Sequence, residues 1–460
     1  MKAGAEATDC RALRRLAIGA GICASILLMV VGVWCDLKMF GDGSIFSYAV
    51  AAQDAWAFHW HNIPGRLFTY VFAYIPAEAF VALTGSAKAG ITIYGLLFFC
   101  APLLSLLVTY LADRGNGRVI FFYACLSTAC LCPLVFGAPT EMWMAHAVFW
   151  PALAICLYAP ANARGAAAVF IALLLLVFTH EGAVIFAVAI LFALFLRGRR
   201  NAAFIRALSA FCAVIAIWLI VKLTILPDDY IADVLNAAAF RFIDIRNLGD
   251  PAFLLLLAAL AVYAILFFLL RRSAIAPFFA FVACVVALAA YWIWFDTSLL
   301  AEARYNLRTV LLIATPALGI LAAWQPFGQR IYPRAIAGAL ALILLIHAVE
   351  TAKFVKGWMD YKTALRVLAM GTQTDPALGD PSFVSSQRIG AKPSRLAWNS
   401  TTPYLSVLVA PDLKPARLVI DPSTGYFWLS CETATESERT SAAIPAESRR
   451  LIRIYSCLHR

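Results

Sequence analysis

The sequence predicts an all-α polytopic membrane domain of about eleven transmembrane helices plus an outer surface helix, followed by a small C-terminal α/β extracytoplasmic domain. Three observations carry that expectation. Of 460 residues, 63% are apolar and only 14% charged, a balance that leaves too little polar surface for a water-soluble fold. The charges gather in short clusters between apolar runs long enough to cross a bilayer. From Ala352 onward Pro, Ser, Thr, Asp and Arg become common and no later run could span. The soluble classes, nucleic-acid binders included, are thereby excluded, and the formal charge of +11 reads as membrane topology.

The first run, Leu16 to Cys35, follows Arg11, Arg14 and Arg15 and reaches Asp36 without a small-x-small cleavage site. A retained helix with its N-terminus inside is expected. Further spans are expected at 89–111, 119–136, 141–159, 165–179, 182–196, 203–226, 251–270, 275–295, 307–324 and 334–351. If 67–85 does not cross, Arg114 and Arg118, Arg164, Arg197 to Arg206, Arg271 and Arg272, and Arg330 and Arg334 all fall on the inner side. Pro76 and Glu78 within that segment favour a helix lying on the outer surface or dipping into it. The two runs flanking Thr179-His180-Glu181-Gly182 are short for full spans and suit a cavity wall.

The domain division expected is 1–351 in the membrane, with 36–88 an outer loop bearing surface helices, and 352–460 soluble. In the latter, a helical start at 353–370 precedes strand-like segments around 417–421, 426–430 and 451–456. Cys431 and Cys457 could form a staple there or be two unrelated thiols. Most other cysteines lie in or beside apolar runs as small hydrophobes, with no CxxC or Cys/His metal spacing.

Unusual polar residues collect on the outer side: Asp36 and Asp42, His59 and His61, Glu141 with His146, His180 with Glu181, and Glu302 with Arg304 and Arg308. Ionisable groups at a membrane mouth are costly unless paired or hydrated, so their convergence suggests a water-accessible cleft. Each could instead be an interfacial residue. In the loop beginning DLKMFGDGSIFSYAVAAQ, Gly41 and Gly43 flank Asp42, and Ile45, Phe46, Tyr48, Ala49 and Ala52 follow at helical spacing. Asp42 or Ser44 could cap that helix, or Asp42 could enter the cleft as a general base.

In this acidic-then-aromatic stretch, Asp42 to Ala51, and in its overall layout, the chain resembles the GT-C class of membrane glycosyltransferases. The resemblance implies transfer of a sugar from a polyprenyl-phosphate carrier to a glycan, lipid or protein acceptor, at the outer face of a bacterial inner membrane. It also implies an acidic base, for which Asp42 and Asp36 are both candidates. A leaving lipid phosphate needs cationic donors, and Arg66, Arg304 and Arg308 are placed to supply them. Arg304 and Arg308 could otherwise anchor their helix or pair with Glu302. Glu141, His146, His180 and Glu181 could orient acceptor hydroxyls or hydrogen-bond one another. No cofactor is expected; the alternative is a divalent cation held by these groups together with His59 and His61. A transporter or flippase, and a polysaccharide polymerase or ligase, are the competing functions. No internal repeat of the kind many transporters carry is present.

Overall fold

A computed structural model describes residues 2–55, 65–138, 140–198, 201–224, 244–270, 281–282, 285–286, 301–324, 333–372, 383–398 and 401–421. Helices dominate it because apolar runs that leave water must satisfy their backbone N–H and C=O groups internally. In chain order they are α1 Lys2–Trp34, α2 Gly43–Ala51, α3 Leu67–Thr84, α4 Ala87–Ala112, α5 Val119–Leu131, α6 Met142–Tyr158, α7 Ala163–Val177, α8 Ala183–Arg197, α9 Ala202–Thr224, α10 Pro251–Leu270, α11 Ala301–Asn306, α12 Arg308–Trp324 and α13 Pro333–Met370. By length and composition, six helical stretches of the described residues could cross a membrane, and five shorter apolar helices accompany them.

One of the six is α3, which the sequence places on the outer surface. Its Glu78, which argued against crossing, accepts the Ala55 N–H at 2.8 Å and the Tyr70 hydroxyl at 3.4 Å. Neighbouring groups thus engage the charge, and the segment is a continuous 18-residue helix with a π-helical turn at Tyr70–Tyr74. The expected span 275–295 lies almost wholly outside the described residues, as do His59, His61, Cys431, Cys457 and the strand-like segments 426–430 and 451–456.

The bundle packs α4 on α6, α1 on α4 and α5, and α8 on α12. Small residues set the closest approach: a Cβ added at Gly21 of α1 would stand 2.5 Å from the Cys125 carbonyl oxygen of α5. The ends of α6 separate two chemistries. At its C-terminal end the basic residues gather, with Arg206 donating to Pro160 O at 2.7 Å and to Ala159 O at 3.0 Å. At its N-terminal end Glu141 pairs with Arg66 at 2.9 Å.

The compositional border at Ala352 does not interrupt α13, a single helix of 38 residues. Its far half docks on the loop after α1: Trp358 Nε1 donates to Cys35 O at 2.8 Å, and Lys362 Nζ to Asp36 at 2.8 Å. Beyond it, β1 (Phe383–Ser385) pairs in parallel with β2 (Leu418–Ile420), Phe383 opposite Leu418. Between them lie α14 (Ala391–Ser394) and α15 (Thr402–Leu408). The segment seats on α2, where the Tyr404 and Tyr48 rings are 5.2 Å apart.

Candidate functional site

The loop between α1 and α2 is built to hold one turn still. Phe40 is fully buried and meets the edges of Phe354, Trp358 and Trp398 at 5.1, 5.4 and 6.1 Å. Gly41 follows at φ +57°, and a Cβ there would lie 2.6 Å from Trp398 Cε3, so only glycine fits both the backbone and the space. Its carbonyl accepts the Ser44 hydroxyl at 2.7 Å and the Thr401 hydroxyl at 3.0 Å. Asp42 comes next, half-buried. Its side chain does not cap α2 and joins none of the ion pairs among the described residues. Of the two roles open to Asp42, capping is therefore removed. Withdrawal from water and the nearby Glu141 push its carboxyl up to about 7, against the opposing pull of Arg308 and Arg66.

Beside it stands a lattice of alternating charge drawn from four separate parts of the chain. Arg66, just before α3, donates Nη1 to Glu141 Oε2 at 2.9 Å and Nε to Glu181 Oε2 at 2.9 Å. Lys222, in the last turn of α9, donates to Glu181 Oε1 at 2.6 Å. Burial opposes the ionisation of Glu181, but Arg66 and Lys222 outweigh it and hold this carboxyl well below the usual range. Glu141 is shifted the other way, because burial exceeds the relief that Arg66 gives. His180 takes no charge: burial and Arg66 depress its proton affinity, and its Nδ1 accepts the Gly182 N–H at 2.9 Å. The 3.8 Å approach of that nitrogen to Glu181 is therefore not an ion pair. The polar pairs expected along the sequence are rearranged accordingly, since Glu141 and Glu181 meet through Arg66 and not through histidines.

Arg308 opens α12 and lays its guanidinium over the Tyr305 ring, 3.4 Å from the centroid. Trp398, from the segment beyond α13, meets Tyr305 edge-on at 5.2 Å. Arg308 and Tyr305 both interact electrostatically with Asp42. Asp42, Arg66, Glu141, His180, Glu181 and Arg308 are thus brought together by direct bonds or electrostatic coupling.

Three expected residues lie elsewhere. Arg304 is completely buried, donates Nη1 to Phe136 O at 2.8 Å and Pro133 O at 3.2 Å, and stacks on Phe354 at 3.8 Å. A guanidinium enclosed this way cannot reach a headgroup, so the expectation of phosphate binding is corrected to one of bracing the Pro133–Phe136 turn. His146 is buried inside the bundle, 2.8 Å from the Ser127 hydroxyl and 3.5 Å from Cys132 Sγ. Asp36 is bound by Lys38 at 2.5 Å and Lys362 at 2.8 Å. Burial alone would raise its proton affinity, and the two lysines reverse that and lower it. Glu302 lies on α11, and His59 and His61 lie outside the described residues.

Sequence reasoning overlooked Lys222, Tyr305, Trp398 and Thr401. A lysine within the apolar run of α9 is a signal in itself, because a charge there is expensive without a partner. Thr401 carries no such signal, since its contact spans 360 positions of sequence. Among the described residues no group of three or more His, Cys, Asp and Glu side chains could hold a metal ion. A groove of about 300 Å³, almost entirely apolar, begins at Phe68 and Phe72 and runs between Ala101 and Leu104 of α4 and Met144 and Pro151 of α6. No family model matches the chain, and no curated protein matches it in sequence.

Proposed function

We propose that the protein is a membrane glycosyltransferase of GT-C type, moving a sugar from a polyprenyl-phosphate carrier to an acceptor at the end of the bundle that bears Asp42. The observation that carries the reading is a carboxylate that joins none of the ion pairs among the described residues and is lifted into the working pH range, with the Arg308 guanidinium, stacked on Tyr305, acting on it electrostatically. A general base needs the first and a departing phosphate needs the second.

In the reaction, Asp42 accepts the proton of an acceptor hydroxyl as its oxygen bonds to the anomeric carbon. The bond from that carbon to the phosphate oxygen breaks with its electron pair, and Arg308 offsets the charge that develops on the phosphate. Arg66 spends its donors on Glu141 and Glu181 and serves as the brace of the site. The groove that starts two residues after Arg66 offers a hydrocarbon chain an apolar path along α4 and α6. In this reading the arginine-rich end faces the cytoplasm of a bacterial cell, and residues 352–460 form the outer α/β domain.

The test is transfer by the purified protein from a panel of polyprenyl-phosphate sugars in detergent or nanodiscs. Turnover of one donor, abolished in Asp42→Asn while the donor still binds, is the expected result. A protein that turns over no donor of the panel, or an Asp42→Asn variant that transfers normally, would refute the proposal.

A further inference from the structure

Glu141 presents a feature that the transfer chemistry leaves unused. It precedes α6 without capping it, and the Met142 N–H turns instead to the Thr140 hydroxyl at 3.2 Å. One carboxylate oxygen, Oε2, takes the Arg66 bond at 2.9 Å. The residue is 3% exposed, yet its other oxygen, Oε1, is buried and has no hydrogen-bond partner among the described residues. Buried carboxylate oxygens are rarely left so, because each gives up its hydration and recovers nothing.

The surroundings narrow the kind of donor that this oxygen can accept from. Glu141 acts electrostatically on Asp42 and on Tyr74 and Tyr94, two buried rings stacked at 5.0 Å, so its charge is felt at Asp42 from the side where those rings close the site. A cation is disfavoured there: Arg66 already sits on the same carboxylate, Lys222 completes the balance with Glu181, and Arg308 adds a further positive charge near Asp42. The remaining donor is a neutral one. A hydroxyl supplies a hydrogen bond without adding charge, and hydrogen bonds to an ionised acceptor are the stronger kind.

We propose that Glu141 Oε1 accepts a hydrogen bond from a ring hydroxyl of the sugar bound beside Asp42, which makes Glu141 a specificity-determining residue of the site. The identity of the ligand rests on the glycosyltransferase reading; the demand for a neutral donor rests on Glu141 alone. One hydroxyl position of the sugar is then read by a carboxylate that does none of the proton transfer.

The test is a cycle between enzyme and ligand. The tightest-binding sugar from a panel of polyprenyl-phosphate hexoses and pentoses is compared with each of its monodeoxy analogues, on the wild type and on Glu141→Gln, with binding measured separately from transfer. One deoxy position should weaken binding to the wild type about 10- to 100-fold. On Glu141→Gln, whose amide oxygen can keep the Arg66 bond, that penalty should shrink to within about threefold while the penalties at the other positions stay unchanged. Where Glu141→Gln is not monodisperse, Glu141→Asp, which withdraws the carboxylate by one methylene, must show the same selective loss. Equal penalties on wild type and variant at every position would overturn the assignment and leave the transferase reading standing. Position-specific binding without transfer would keep Glu141 in this role and remove the transferase reading; binding of none of the sugars would overturn both.

Discussion

Asp36 and Asp42 occupy one short loop and are equally placed by sequence to act as a base, yet the fold treats them in opposite ways. Asp36 ends α1 in a left-handed conformation at φ 59° and is gripped by Lys38 and Lys362. Asp42 stands after a glycine that is itself pinned by Thr401, and its own carboxylate joins none of the ion pairs among the described residues. A carboxylate with two lysines is a structural tie. One that is withdrawn from water, near a second carboxylate and two arginines, is prepared to exchange a proton.

Asn at each position should separate them most widely. Asp42→Asn should lower turnover by about two to four orders of magnitude with donor binding retained, measured by initial rates and donor titration on monodisperse protein. Asp36→Asn should leave turnover within a few-fold and instead destabilise the fold by about 1–3 kcal/mol, because Lys38 is 3% exposed and loses its counter-charge. Equal loss of turnover in both variants would erase the distinction.

Arginines four residues apart extend it. Arg308→Lys should reduce turnover about 10- to 100-fold through the lost planar donor beside Tyr305. Arg304→Lys should act on thermal stability and not on donor affinity, since its guanidinium is buried and bonds the carbonyls of Pro133 and Phe136. Donor titrations and thermal unfolding of the pair decide between them.

A smaller change should come from the clamp on Gly41. Thr401→Val removes the 3.0 Å bond to the Gly41 carbonyl and should cost about tenfold in kcat with KM little altered, since a loosened turn misplaces the base and not the donor. Thr401→Ser, which keeps the hydroxyl, should restore it.

The last contrast is in pH. The Asp42 carboxyl, raised to about 7 in the fold, contributes stability that is complete below the unfolded value near 4 and lost as pH rises through 7. Asp42→Asn should therefore be more stable to unfolding than wild type at pH 8, by on the order of 1–2 kcal/mol, and match it at pH 4. Asp36, lowered by its lysines, has the reverse sign: its contribution is present above the unfolded value and lost as pH falls, so Asp36→Asn should be less stable at pH 7 and converge with wild type in acid. The transfer rate should rise with pH and level off above about 7.

Much of the bundle was legible because apolar length and loop charge report directly on a membrane fold: α1, α4, α9 and α12 fall where the hydropathy places them. Of the site, Asp42, Glu141, His180 and Glu181 were legible as polar residues out of place in apolar surroundings. Arg304 misled, because a sequence shows that a charge sits near a helix start but not whether carbonyls such as those of Pro133 and Phe136 already enclose it. The partners of Glu78 in α3 were hidden for a related reason, since nothing local to it reveals that the Ala55 N–H will engage it. The Thr401 and Trp398 contacts with Gly41 were beyond reach: they join segments whose proximity only the completed chain creates.

The helix α13 has a consequence of scale. Its 38 residues at 1.5 Å each make a rod of about 57 Å, against a hydrocarbon core of about 30 Å. Trp358 and Lys362 fasten its upper part to the loop that carries Asp42, while Thr401, further along the same chain, closes on that loop from above. The helix thereby works as a measuring post, converting a number of residues into the height at which two parts of the site meet. Adding one residue between Ala352 and Trp358 would lift everything above by about 1.5 Å and turn it by about 100°, taking Trp358 and Lys362 off their partners together. Adding a whole turn would restore the facing but not the height.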